Sequence, residues 1–133
     1  MLRQRRDSKP RASNAGPATA VRGRLGEKLA AEYLTAHGYR LVARNLRTRQ
    51  AEIDVLVRRR RCYVAVEVKT RSSHPAPEHL VDDQMVGRLA AALRKLTPVL
   101  LPRPRTLRVD VVAVRLLQGD VQVRHFPGRP FSP

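Results

Sequence analysis

Glu52-Ile53-Asp54-Val55-Leu56-Val57 and Cys62-Tyr63-Val64-Ala65-Val66-Glu67-Val68-Lys69-Thr70-Arg71 decide how this chain is read. Both stretches are rich in Val, Ile and Tyr, as a sheet prefers, and Arg58-Arg59-Arg60-Arg61 joins them. They read as two strands of a hairpin, Ala51 to Val57 and Cys62 to Thr70. Alternation sends residues two apart to one face. Ile53, Val55 and Val57 then share a face, as do Val64, Val66 and Val68. If those apolar faces lie on one side of the sheet, Asp54, Glu67 and Lys69 meet on the other. Three charges in strands otherwise so apolar need a reason.

Two carboxylates about 5 Å apart repel by roughly 3 kcal/mol at an effective dielectric near 20. A lysine offsets part of that, and a divalent cation offsets it better. Hard oxygen donors suit Mg²⁺ or Mn²⁺, and no His or Cys grouping in the sequence suggests zinc. The backbone carbonyl of Val68, between Glu67 and Lys69, adds a further oxygen. A metal so held binds a phosphate oxygen and makes a nucleophile of its water. Lys69 would orient that water or stabilise charge gathering on phosphorus. Only four of the 27 cationic residues are lysine (Lys9, Lys28, Lys69 and Lys95), so a compact ammonium at position 69 stands out. An edge hairpin with a solvated polar face would give the same spacing, with Glu67 and Lys69 an ordinary exposed pair.

Outward from the hairpin the periodicities change. Val21, Leu25, Leu29 and Tyr33 recur every fourth residue, widened by Ala30, Ala31 and Leu34, which predicts an amphipathic helix ending at His37-Gly38. Glu27 lies at one end of that stripe. It suits either a helix N-terminus or an acid of the site. Tyr39 to Leu46 reads as a strand and Arg47 to Gln50 as a turn. Ser72 to Leu80, with Pro75 and Pro77, reads as a loop. Asp82 and Asp83 introduce a helix with a Met85, Leu89, Ala92, Leu93, Leu96 stripe that Pro98 stops. Strands at Leu107 to Leu117 and Val121 to Phe126 follow, with a turn at Gly119-Asp120. The expected order α-β-β-β-α-β-β describes an α/β domain, a mixed central sheet flanked by helices. Asp110, among valines, is expected to hydrogen-bond a neighbouring backbone group or arginine. His37, His74, His79 and His125 lack ligand spacing and read as surface or packing residues.

The chain has 133 residues, 42% of them hydrophobic, which suits one packed domain, expected over 21–133. Residues 1–20 are basic and aperiodic and read as a flexible arm. A formal charge of +16 points to a polyanionic partner. The Arg58–Arg61 tip and Arg71 are candidate phosphate contacts. The single cysteine, Cys62, excludes an intrachain disulfide framework and suits a reducing cytoplasm. No apolar run reaches the roughly 18 residues of a membrane span, so no membrane association is expected. With 4% aromatic residues and no tryptophan there are few platforms for stacked bases, which favours DNA over RNA as partner.

Glu52-Ile53-Asp54 followed by Glu67-Val68-Lys69-Thr70-Arg71 resembles the PD-(D/E)XK nuclease core. More closely, the chain resembles the YraN-like endonucleases of bacteria, which have the restriction endonuclease-like fold. Gly23-Arg24-Leu25-Gly26-Glu27, Tyr33-Leu34, Gly38-Tyr39, Ala43-Arg44-Asn45 and Val109-Asp110-Val111-Val112 carry that likeness from Gly23 to Phe131. The resemblance implies Asp54 and Glu67 as metal ligands, with Glu27 as a helix-borne acid of the site and Lys69 as the catalytic lysine. It implies an endonuclease using Mg²⁺ or Mn²⁺. There are two departures from the pattern. Ala51 stands where Gly is usual, and Met85-Val86 where a Lys-Gln pair is common. The second departure bears on substrate handling and leaves a noncatalytic nucleic-acid-binding module as the alternative.

Overall fold

The computed structural model describes residues 17–72 and 80–133. The quoted hairpin forms as β2 (Glu52–Arg59) and β3 (Cys62–Arg71), between α1 (Pro17–Ala36) with β1 (Arg40–Arg47) before it and α2 (Asp83–Leu96), β4 (Thr106–Leu117) and β5 (Asp120–Phe126) after it. The five strands make one sheet in the order β1-β2-β3-β4-β5. All neighbours are antiparallel except β3 and β4, which run parallel and are linked through α2. A parallel pair needs such a crossover, because no short turn can join its ends. The element order is the expected one.

Several boundaries move. The first helix starts at Pro17, inside the stretch expected to be a flexible arm, and proline's fixed φ suits a first helical position. The rest of that arm lies outside the described residues, as do Ser73, His74, Pro75, Pro77 and His79 of the predicted loop. The hairpin ladder continues through Arg59↔Cys62, so only Arg60 and Arg61 form the turn, with Arg60 at φ 54°. Gly38, at φ 93°, ends α1 as expected.

Each face of the sheet carries one helix. Ala30, Ala31 and Leu34 of α1 pack on Val55, Val57, Val64, Val66, Val68, Val112 and Val114. On the other face Met85, Leu89, Ala92, Leu93 and Leu96 of α2 pack on Leu56, Tyr63, Ala65, Leu107, Val109 and Val111. Asp82 caps α2, its carboxylate accepting the Gln84 N–H at 2.8 Å. The core face of α1 differs from the predicted stripe. Val21 and Leu25 are exposed, whereas the predicted Ala30, Ala31 and Leu34 are buried together with Gly26 and Glu27, and Leu29 and Tyr33 pack at the edge. Small side chains let the helix lie close to the sheet: a Cβ on Gly26 would stand 1.9 Å from Thr70 Oγ1. Among the described residues, no helix is long and apolar enough to cross a membrane.

The topology gives the sheet two distinct ends. The start of β2, the end of β3, the β4–β5 turn, the N-terminus of α2 and the Gly26 region of α1 lie at one. The β2–β3 turn, the start of β4 and the C-terminus of α2 lie at the other.

Candidate active site

The β2–β3 ladder runs from Arg59↔Cys62 only as far as Val55↔Val66. Beyond it, the continuing ladder would pair Val68 with Ile53. The Val68 N–H instead donates to Asp54 Oδ2 at 2.9 Å, so the carboxylate bridges two strands that have parted. Asp54 is 1% exposed. In an extended strand the N–H and C=O of one residue point to the same edge. The Val68 carbonyl therefore faces the edge at which Asp54 sits.

The expectation that Ile53, Val55 and Val57 share a face is corrected here. Ile53 joins the α2-side core with Leu56, while Val55 and Val57 lie under α1. Alternation breaks at Asp54. It breaks on β1 as well, where Leu46 and Ala43 also pack on the α2 side although they lie three positions apart. Asn45, between them and level with Asp54, is buried at φ 51°. Asn tolerates the left-handed region better than most residues, and that was the one available signal in the sequence for this reversal.

Glu67 and Lys69 follow Tyr63 and Ala65 on the α2-facing side of β3. Lys69 Nζ lies 3.4 Å from Glu67 Oε2, and their side chains are 27% and 14% exposed. A pair so open to water adds at most about 1 kcal/mol to stability. Glu27 is 6% exposed on α1, one residue beyond the Gly26–Thr70 contact that brings the helix onto the end of β3. Filling that contact moves the helix: Gly26→Val should destabilise the domain by about 2–3 kcal/mol. Thermal denaturation reads the loss.

Among the described residues, no three His, Cys, Asp or Glu side chains are grouped to hold a metal, so Glu27 does not complete a ligand triad with Asp54 and Glu67. The donors that remain are two carboxylates and the Val68 carbonyl, all hard oxygen. They fit Mg²⁺ or Mn²⁺, ions that keep several waters and need few protein ligands.

Arg71 is exposed where β3 ends, its guanidinium donating to the Thr70 carbonyl at 2.9 Å. The Arg58–Arg61 segment is at the other end of the sheet and is not brought to the carboxylates. Arg59 donates to the His37 carbonyl and stacks over the Tyr39 ring at 4.0 Å. Met85 is buried among the α2 contacts and Val86 is half-buried against them. Their polar neighbours are Gln84 and Arg88, which with Gln50, Gly87 and Ala91 line a shallow cleft of about 520 Å³. The four-residue spacing of Gln84 and Arg88 was legible as one helix face, but nothing linked it to Gln50.

A second polar cluster lies on the α1 face. Asp110, 1% exposed, accepts two bonds from Arg108 at 2.8 Å, one from the Gly128 N–H at 2.9 Å, and faces His125 Nε2 at 2.7 Å. Arg108 also donates to the Tyr39 hydroxyl at 2.6 Å. The structural role expected for Asp110 is the one observed. His125 is corrected from a packing residue to a member of this cluster.

A family model described as "Uncharacterised protein family UPF0102" matches residues 26–114, which span α1 from Gly26 through most of β4. A UPF0102 protein of Rhizorhabdus wittichii is 37% identical over 102 residues, covering 77% of this chain and 86% of its own. One from Leifsonia xyli subsp. xyli is 39% identical over 115 residues, covering 80% and 92%. One from a Parafrankia species is 42% identical over 111 residues, again covering 80% and 92%.

Proposed function

This chain belongs to the UPF0102 family, the YraN-like group, and we propose that it is a metal-dependent phosphodiesterase that hydrolyses nucleic acid, DNA before RNA. One observation carries the reading. A buried carboxylate, Asp54, is fastened to the backbone of β3 at Val68, between Glu67 and Lys69, where two strands part. A strand edge that gives up its ladder to place an acid has lost pairing energy that a purely structural hairpin would keep.

Asp54, Glu67 and the Val68 carbonyl would hold a Mg²⁺ or Mn²⁺ ion, whose chemistry is to neutralise phosphate charge and supply a nucleophile at neutral pH. The protein's own part is positioning. The Val68 N–H holds an Asp54 oxygen and so fixes the carboxylate against β3. Glu67 holds the Lys69 ammonium loosely, 3.4 Å away and partly in solvent, so it can turn to an incoming phosphate oxygen or attacking water. An ammonium suits this task because it is a compact point charge on a flexible stem. The surrounding positive charge supplies affinity independent of base sequence.

The second reading, a noncatalytic nucleic-acid-binding module, is favoured by Met85. It sits in the core, so α2 offers no cation there. Labelled duplex, flap, four-way junction and single-stranded substrates, incubated with the protein in Mg²⁺, Mn²⁺ or EDTA, separate the two. Cleavage that appears only with the divalent ion is the expected result. Binding with no cleavage of any substrate in either ion would overturn the enzyme in favour of the module.

A further inference from the structure

The end of the sheet remote from Asp54 and Glu67 concentrates positive charge. Arg58 stands directly opposite Arg40 on the β1–β2 ladder, a like-charge pairing that costs stability. Arg58 donates to the Arg60 carbonyl at 3.1 Å and Arg61 Nε to the Arg103 carbonyl at 2.6 Å. The Arg105 N–H in turn donates to the Arg61 carbonyl at 2.8 Å. The hairpin tip and the segment before β4 are thereby tied into one piece. Pro102 and Pro104 stiffen that segment. Arg40, Arg60, Arg103 and Arg105 are exposed, and a guanidinium that spends one donor on a carbonyl keeps the others for a ligand.

Most acids of the described residues lie elsewhere: Glu27, Glu52, Asp54, Glu67, Asp82, Asp83 and Asp120 fall at the site end by the topology given above, and Glu32, on the second half of α1, is the exposed acid nearer the arginines. Asp110 is consumed within its own cluster. Repulsion among crowded cations raises the free energy of this surface unless a polyanion neutralises it.

We infer that this end is a second phosphate-binding surface for nucleic acid, separate from the carboxylate site. It deepens the proposed function, on which it rests for the identity of the polyanion, by setting the size of the substrate. Cys62 is five residues from Glu67 along β3, roughly 17 Å at about 3.3 Å per residue. A strand spaced at about 3.4 Å per nucleotide must run on for some five or six nucleotides to touch both ends. The substrate class is therefore a nucleic acid with a strand running at least about five or six nucleotides past the site, not a mono- or dinucleotide. A lipid surface is the weaker occupant. The exposed large apolar side chains at this end are Leu41 beside Arg40 and Val99 and Leu101 of the connection leading into β4, scattered singly rather than set on one amphipathic face that could anchor in a bilayer interface.

The test is the salt dependence of binding to a 30-base-pair duplex, in EDTA so that cleavage does not enter. Arg60→Ser/Arg103→Ser/Arg105→Ser removes three exposed charges and spares Arg61, which holds the segment. Its slope of log affinity against log salt should be shallower by about 2–3, at roughly 0.9 per phosphate contact. Its affinity at moderate salt should fall by about tenfold or more. The matching Arg→Lys triple keeps the charge and should stay within about threefold of wild type, which separates charge from folding. A Ser triple with the wild-type slope overturns the inference. So does wild-type protein that binds phosphatidylglycerol vesicles through these arginines but not the duplex. A protein that shows the slope change yet cuts nothing keeps this surface and loses the nuclease reading, whereas one that cuts with an unchanged slope does the reverse.

Discussion

Lys69→Ala should lower single-turnover cleavage by about a thousandfold or more, with duplex binding held within about threefold of wild type. A thousandfold is about 4 kcal/mol of barrier, the scale lost when one preorganised donor to a developing anion is removed. The fold does not stand in the way of the measurement. The Lys69 side chain is 27% exposed, lies outside both core clusters and shares only a solvated ion pair with Glu67, so its loss should change stability by less than about 1 kcal/mol. Lys69→Arg should not restore the rate, because a planar fork cannot take the place of a point charge. Asp54→Asn is the companion. The amide oxygen still accepts the Val68 N–H, so the strand edge is preserved, but the charge is gone and cleavage should fall as far. Lys69→Ala cutting within about tenfold of wild type would remove lysine from the mechanism, and retained cleavage in Asp54→Asn would remove the metal site with it.

How much of this was legible follows from what each pattern measures. Val64, Val66 and Val68 announced a strand face, and the face is there under α1, because β3 is flanked by neighbours on both edges along most of its length. Ile53 looked like the same signal and was not. Alternation holds only while a strand stays regular, and nothing in the apolarity of Ile53 marks that β2 leaves β3 beside it. The left-handed Asn45 records the break, but Asn is common in turns for other reasons. The α1 stripe misled only at its start, for a different reason. Hydrophobic periodicity rewards large side chains, whereas close approach of helix to sheet selects small ones, so Gly26 joined the predicted Ala30, Ala31 and Leu34 on the sheet while Val21 and Leu25 stayed exposed. Arg58–Arg61 was legible as a hairpin tip and a candidate phosphate contact, but the contacts that fix it were not. Its partners, His37 and Arg103, are 22 and 42 residues away from the arginines that meet them. Asp54, Glu67 and Lys69 stood out in the sequence because charge in an apolar strand is expensive wherever the strand ends up.

That same expense makes Asp110 the position where substitution should cost the fold most. Asp110→Ala leaves the half-buried Arg108 guanidinium without its carboxylate and His125 and the Gly128 N–H without an acceptor. Breaking one side of a buried, hydrogen-bonded pair costs about 3–5 kcal/mol, a large share of the 5–15 kcal/mol typical of a domain. Urea denaturation should show the midpoint falling accordingly, and a loss under about 1 kcal/mol would mean the cluster is not holding β4, β5 and the end of α1 together. The pH dependence has a definite sign. Burial alone would raise the Asp110 pKa, but hydrogen bonds from His125, Arg108 and the Gly128 N–H, with the charge of Arg108, bring it below its ordinary 3.8. A carboxylate whose pKa is lowered on folding adds stability that is complete above its unfolded value and is lost as pH falls through the folded one. The stability gap between wild type and Asp110→Asn should therefore close as the pH falls below about 4, toward the lowered folded-state pKa. A gap that widened in acid would mean the carboxyl enters the folded state already protonated, and the cluster would then have to be rebuilt around a neutral acid.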